Sequence, residues 1–211
     1  MRSIVLVVFL LGVWGVAMAI EEPKYEIVRT DDTIELRRYA PHLVAETEVR
    51  GDFSAVGNEA FRILFRYISG ANRTSASIAM AAPVTQEIAS PGATIAMTAP
   101  VTQVPTGGAG SATWVVAFAM PSSYTIATLP QPTDPRIRIL EVPGRLIAAR
   151  RYSGSWSKER YRTNEKLLLD AVARAGLRPL SPPTFARYNS PFTLWFLRRN
   201  EVLVEVEEPT R

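Results

Sequence analysis

Periodicity changes from strand-like to helix-like near Gly51 in the first half of the chain. Strand-forming residues fill three short segments before this glycine, and Ala40-Pro41 separates the second from the third. After it, apolar residues recur every three or four positions, as on one buried face of a helix. Asp52 is a good N-cap and Gly70 a stop signal, so a helix is predicted between them. The predicted strands are 25–29, 34–39 and 43–49, and the predicted buried helix face is Phe53, Val56, Ala60, Ile63, Leu64 and Tyr67.

The second half contains the same kinds of element in a similar order. After a buried strand and a proline-rich connection, two strands precede a helix that begins at Ser155 or Ser157 and ends before Gly176. Two short strands then close the chain. The ranges are 114–120 for the buried strand, 121–135 for the connection, and 137–142, 146–152, 185–188 and 202–206 for the other strands.

An internal repeat relates the two halves. Eight positions of the first half have chemically similar residues 103 positions later in the chain. The first of these pairs is Ile34 with Ile137, and the last is Phe53 with Trp156. Both stretches are predicted as strand, tight turn, strand, glycine and helix. We therefore expect an α+β fold, a distorted antiparallel β-barrel built from two pseudo-twofold ββα-type halves and flanked by two long helices. Such a sheet offers a concave apolar surface, where small ligands commonly bind.

A ten-residue phrase also occurs twice, at 77–86 and 94–103, with eight identical positions. Each copy combines apolar residues and threonine with one proline near its middle, which fits an edge, a bend or a bulge but not a regular central strand. Ser90-Pro91-Gly92 indicates a turn between the copies. The phrase predicts a bent hairpin inside one domain, with one copy as an insertion.

The N-terminus has the three parts of a secretory signal peptide. Arg2 supplies a positive charge, an apolar run covers 4–16, and Ala17-Met18-Ala19 is a small-x-small cleavage site. An uncleaved membrane anchor is the alternative, but the run is short for a bilayer span of about 20 residues. We therefore expect residues 1–19 to be removed, leaving 20–211 as a single domain that is periplasmic or secreted.

Composition excludes several kinds of site. The chain contains no cysteine, which excludes disulfides, thiolate ligation of haem and zinc–thiolate sites. Removal of Arg2 leaves 23 of the 24 basic residues and 20 acidic residues, a net charge of +3. Because this charge is small and the basic residues are scattered along the chain, it argues against a nucleic-acid partner. No segment after the signal peptide is apolar over a length that spans a membrane. No Gly-x-Ser-x-Gly elbow or phosphate-loop pattern occurs, so we expect a non-enzymatic protein.

Three phrases together resemble a known family. They are Ile95-Ala-Met-Thr-Ala-Pro-Val101, Arg38-Tyr39 followed by Val44-Ala45-Glu46, and Arg187-Tyr188-Asn-Ser-Pro-Phe192 followed by Arg198-Arg-Asn-Glu201-Val. Their order and spacing are similar to those of the SOUL haem-binding proteins, and the resemblance covers about 25–206. It implies a protein that binds haem or a related tetrapyrrole in an apolar groove along the first long helix.

The resemblance places Asn58, Phe61, Leu64, Phe65 and Arg66 at this groove. The three apolar side chains would contact the porphyrin, and Arg66 would pair with a propionate carboxylate. Apolar helix faces are more often core and arginines more often solvated, so both interpretations stay open. The chain departs from the family in the later loop, where its usual basic residue is replaced by an apolar stretch at 192–196.

Axial ligation of haem iron has one histidine candidate, His42, the only histidine of the chain. His42 follows Pro41 in a predicted turn, where a polar side chain usually faces water, so a surface histidine is the competing interpretation. Met80 and Met97 are thioether candidates, although methionine more often fills gaps in a core. Haem held mainly by apolar contact, without a strong protein ligand, is a further possibility.

Two functions remain open at this point. One is a haem or tetrapyrrole carrier or buffer. The other is an apolar-ligand or protein-interaction module on the same scaffold without haem, for which the sequence indicates no particular protein partner.

The signal peptide gives a direct test. N-terminal sequencing of protein from a native-like host should start at or near Ile20, because signal peptidase cleaves after the small residues of Ala17-Met18-Ala19. A membrane-bound product that retains Met1 would contradict this prediction.

Overall fold

Strands dominate the architecture in the part of the chain that the structure describes. This part of the computed structural model comprises residues 20–31, 33–74, 92–106, 113–189 and 192–208, so the predicted signal peptide lies outside it. The strands are β1 (Tyr25–Thr30), β2 (Glu35–Tyr39), β3 (His42–Arg50), β4 (Asn72–Arg73), β5 (Val101–Thr106), β6 (Thr113–Ala119), β7 (Gln131–Pro132), β8 (Ile137–Val142), β9 (Arg145–Ser153), β10 (Thr184–Arg187) and β11 (Arg199–Glu205). The helices are α1 (Phe53–Ile68), α2 (Lys158–Arg174) and a 3₁₀ turn at Trp195–Leu197.

Nine of these strands form one antiparallel sheet in the order β1-β2-β9-β11-β10-β5-β6-β3-β8. The sheet curls into a half-barrel with β1 and β8 as its edges, so the predicted barrel is not closed in the described residues. Strands β2 and β3 do not pair with each other. Instead β2 pairs with β9, and β3 pairs with β8.

The strand register follows the 103-residue offset found in the sequence. Leu36 of β2 pairs with Ala148 of β9, and the two positions related by the offset, Ile139 of β8 and Ala45 of β3, also pair. The α+β class with two long helices is confirmed. The twofold relation of the complete halves stays a prediction.

The two faces of the sheet have different coverings because side chains alternate along each strand. In β3, Leu43 and Ala45 belong to the main core beneath the helices. Their neighbours His42, Val44 and Glu46 line a cavity on the opposite, concave face. This alternation decides which of the predicted site residues can act together.

Helix α1 buries the face that its periodicity predicts. All six predicted residues are at most 6% exposed. Asp52 is the N-cap of α1, although its side chain makes no capping hydrogen bond, whereas Ser157 caps α2 by accepting from the amide of Arg160 at 3.3 Å. Phe53 joins the two helices, since its ring stacks on Tyr161 of α2 with centroids 5.4 Å apart.

The first copy of the doubled phrase lies outside the described residues. In the second copy, 94–97 has no regular secondary structure, and β5 begins directly after Pro100. Strand β5 pairs with β10 and β6. Pro100 therefore lies just before a central strand. At this position its missing amide hydrogen does not interrupt the hydrogen bonds between strands. The predicted hairpin between the copies lies partly outside the described residues.

A buried carboxylate on the concave face connects three segments of the fold. Glu201 of β11 is fully buried and accepts from Arg37 of β2 at 2.6 and 3.1 Å. Tyr188 and Arg199 also donate to it, at 2.8 and 3.0 Å, and Arg199 reaches Glu22 at 2.9 Å. Burial alone would raise the pKa of Glu201, but the bonds and charge of Arg37 and the other donors hold it below its usual value.

Glu201→Gln should therefore destabilise the protein by about 3–5 kcal/mol in urea denaturation, because it leaves the buried Arg37 with only the partly exposed Glu35, 2.8 Å away, as an acidic partner. The folded pKa of Glu201 is lowered, so its contribution is complete above the unfolded value near 4.5 and is lost as the pH falls through the folded value. The advantage of the wild type over the variant should shrink accordingly in acid.

Glu207→Gln is the matched control for that measurement. Glu207 pairs with Arg178 at 2.6 Å, but both side chains are more than half exposed, so its replacement should change the stability little. Equal losses for the two variants would contradict the role assigned to burial.

Candidate functional site

An aromatic stripe runs along the outer flank of α1. Phe61 is partly buried and Phe65 is 46% exposed, and their rings stack with centroids 5.6 Å apart at 13°. Phe61 also meets Phe118 of β6 at 5.5 Å, so the stripe rests on the sheet. Asn58 is exposed one turn before Phe61 on the same flank. These three predicted residues lie together on the surface.

The other two residues predicted on α1 lie elsewhere. Leu64 is fully buried in the core, so its side chain does not line an open groove. Arg66 is exposed but directly follows Phe65, and consecutive helix residues point to different sides. Its charge acts instead on Asp134, whose pKa is held below the usual value mainly by hydrogen bonds from Arg136. Helical periodicity gave the correct helix but did not separate its core from its flank.

His42 is not in the turn where the sequence places it. It is the first residue of β3 and is half-buried, because the strand begins directly after Pro41. Its Nδ1 lies 3.0 Å from the carbonyl oxygen of Ala40, and burial lowers its pKa below the usual value. The side chain points to the concave face, away from α1. His42 and the aromatic stripe of α1 therefore cannot contact the same small ligand.

The concave face contains a cavity of about 320 Å³ at its open end. Its wall is mostly apolar, with contributions from β3, β5, β6, β9 and β11. Polar groups at its edge include Tyr39, His42 and Thr184, and two carboxylates, Glu46 and Glu205, are each paired with an arginine. This combination suits a small, largely apolar ligand.

A protruding apolar loop follows β10. Between 192 and 197, every residue except Thr193 is a large apolar residue that is at least 52% exposed, and Phe192 reaches 94%. Arg198 anchors the base of the loop, donating to the carbonyl oxygen of Thr193 at 2.8 Å and covering the ring of Trp156 at 4.3 Å. Exposed apolar surface of this extent commonly marks a binding surface.

Arg187 is the residue that sequence reasoning missed as a site candidate. It entered only as part of a family phrase, yet its guanidinium lies beneath α1 and beside Trp156. Trp156 is itself held by Asn200, which accepts from its Nε1 at 2.8 Å and donates to the carbonyl oxygen of Gly154 at 3.0 Å. Two residues of the Arg-Arg-Asn-Glu phrase, Arg198 and Asn200, thus contact the Trp156 ring that lies beside Arg187. No periodicity of the sequence could reveal this contact between distant segments.

Two further searches concern only the described ranges. No three histidine, cysteine, aspartate or glutamate side chains come close enough there to hold a metal ion. No described helix combines the length and hydropathy needed to cross a bilayer.

The profile of a family described as SOUL heme-binding protein matches residues 20–205. A search of curated proteins gives no match. The family match covers most of the chain and includes every strand of the sheet.

Solved structures show the same fold at low sequence identity. The C-terminal domain of EcmrR is 11% identical with a TM-score of 0.58, covering 88% of this chain and 99% of that one. EcmrR in its complex with DNA is 12% identical with a TM-score of 0.59, covering 83% and 57%. An uncharacterized conserved protein from Listeria innocua is 10% identical with a TM-score of 0.52, covering 83% and 92%. Likeness at these identities concerns the fold alone.

The different positions of Leu64 and Phe65 predict different effects of the same substitution. Leu64→Asp should prevent folding or cost more than about 4 kcal/mol, because it places an unpaired carboxylate in the core. Phe65→Asp should stay within about 1 kcal/mol of the wild type, since the side chain is already 46% exposed. Thermal unfolding followed by circular dichroism distinguishes the two, and similar melting curves for both variants would contradict the assignment.

Proposed function

The chain belongs to the SOUL haem-binding protein family, and on this premise we propose that it is a non-enzymatic carrier or buffer of haem or a related tetrapyrrole. We place its ligand on the outer flank of α1, against Phe61 and Phe65. We also propose that the protein acts after export, in the periplasm or outside the cell, without a nucleic-acid or membrane partner.

The observation that supports this site is the exposed aromatic stripe. A stacked pair of phenylalanines that is left partly open to solvent offers a flat apolar surface, which is the shape complement of a porphyrin face. Burying apolar area contributes about 25 cal/mol per Å² before the costs of association are subtracted. The apolar area of a tetrapyrrole macrocycle is therefore large enough to support binding without a bond from the protein to its iron.

His42 takes no part in this proposed site. It lies on the concave side of β3, whereas α1 packs on the other side of the same strand. The haem is therefore held by apolar contact and by its carboxylates rather than by an axial histidine.

The second candidate function is a haem-free apolar-ligand module. The cavity of about 320 Å³ on the concave face favours it, because that volume and mostly apolar wall suit a ligand smaller than a tetrapyrrole. A ligand there would contact His42 and Tyr39 and leave the stripe on α1 free.

Titration with hemin, followed by its Soret absorbance, tests the first function. The wild type should shift the Soret band, and Phe65→Asp should weaken binding by about tenfold or more, because it places a carboxylate against the porphyrin. His42→Ala should change the affinity by less than about tenfold, since His42 lies on the other face.

Leu167→Asp provides the matched control. Leu167 is an apolar residue of α2 with 42% exposure, close to the 46% of Phe65, so it tests whether any surface carboxylate weakens binding. A Soret band lost with His42→Ala would overturn the assignment of the site. No Soret change with the wild type would favour the haem-free module instead.

A further inference from the structure

The guanidinium of Arg187 lacks a negative partner among the described residues. None of the ion pairs there includes it, and its Nε is shielded from solvent and has no hydrogen-bond partner. The one hydrogen bond of its side chain runs from Nη2 to Oε1 of Gln103 at 3.0 Å. Burial lowers the pKa of Arg187 to about 10, so the group is still a cation at neutral pH.

A neighbouring arginine adds to the cost of this charge. Arg187 and Arg198 both lie over the ring of Trp156, and their guanidinium carbons are 5.0 Å and 4.3 Å from its centre, respectively. The positive charge of Arg198 disfavours the cationic form of Arg187. The hydroxyl of Tyr152, which also senses the charge of Arg187, is buried and has no hydrogen-bond partner.

Aromatic rings compensate for only part of that cost. Arg187 also lies 5.0 Å and 5.8 Å from the ring centres of Phe185 and Phe53, so three rings form a cage around it. Cation–π contacts are weaker than a paired carboxylate, which would satisfy both charge and hydrogen bonds. Arg187 is only partly buried as a whole residue, although its Nε is shielded from solvent.

Arg187 lies at one end of the aromatic stripe on α1. A Cβ at Gly57 would come within 2.8 Å of its Nη1, so the guanidinium touches α1 at a position that only glycine leaves open. Phe61 and Phe65 follow Gly57 at intervals of four residues, on the same flank of the helix. In the sheet beneath α1, Arg187 of β10 pairs with Val101 of β5, and Val101 pairs with Phe118 of β6. The ring of Phe118 packs against the ring of Phe61.

The strand register sets the backbone spacing between Arg187 and Phe118. They occupy the same row two strands apart, so their backbone positions are about 10 Å apart. Val101 between them is only partly buried and forms an apolar floor. A ligand that fits has a carboxylate at one edge and a flat apolar body beside it.

We propose that Arg187 receives a propionate carboxylate of the tetrapyrrole whose macrocycle lies over Val101 and against Phe61. This inference rests on the proposed function and replaces Arg66, which points away from the stripe, as the partner of the propionate. Arg187 also supplies the positive charge that the apolar loop at 192–196 lacks.

Hemin and its dimethyl ester, in which both carboxylates are blocked, are the probes for this contact. The wild type should bind hemin about ten- to a hundredfold more tightly than the ester, as a charge-assisted bidentate bond in a partly buried site provides. Arg187→Met should remove this preference while leaving the affinity for the ester nearly unchanged. Methionine keeps the apolar stem and removes an unpaired charge, so folding should be retained.

Three further variants complete the comparison. Arg62→Met removes an exposed arginine of α1 outside the stripe and should keep the full preference for hemin. Arg66→Met should keep it as well, and a loss of preference in this variant would overturn the inference. Arg187→Gln repeats the test with a polar side chain should the methionine variant not fold.

The outcomes separate this inference from the proposed function. If the wild type binds hemin and ester equally, or if Arg187→Met keeps the preference, the ligand is bound but Arg187 is not its partner. If the wild type binds neither probe, the proposed function itself fails.

Discussion

The carboxylate of Glu201 is the constraint on which the concave half of the molecule depends. A charge in a fully buried position is tolerated only when other charges and hydrogen bonds replace water. Here Arg37 comes from β2 and Arg199 from β11 itself, while Tyr188 follows β10. The requirement to satisfy one acid therefore fixes how strands that are distant in sequence approach each other. Through Arg199 it also holds Glu22, which leads into β1.

The helix-covered half follows a different rule. Its core is held by apolar packing around Phe53, whose ring contacts Trp114, Tyr161 and Phe185 within 5.5 Å. Arg187 is the exception there, a cation surrounded by rings without a described acid. The contrast is informative, because the same chain pairs Arg37 with a buried carboxylate. Arg187 is the group for which we propose a ligand carboxylate as the partner.

Local patterns in the sequence were sufficient for the elements and the core. Periodicity identified α1 and its six buried residues, since a helix that covers a sheet must bury one face. Burial along a helix changes gradually around its circumference, so periodicity could not tell Leu64, which is core, from Phe65, which is exposed. His42 was placed in a turn because the strand start after Pro41 depends on its pairing with β8, a long-range contact. The role of Arg187 depends on three distant segments and has no local signal.

The buried acid and the proposed binding stripe lie on opposite sides of one sheet. Glu201 and its partners face one way, and the stripe residues Phe61 and Phe65 face the other. Substitutions that reshape the stripe can thus change the proposed binding surface without disturbing the buried acid. For protein engineering, the exposed positions of α1 can be varied while the buried acid and its partners are kept. For natural divergence, the same separation lets the stripe change in sequence while the buried framework stays constant.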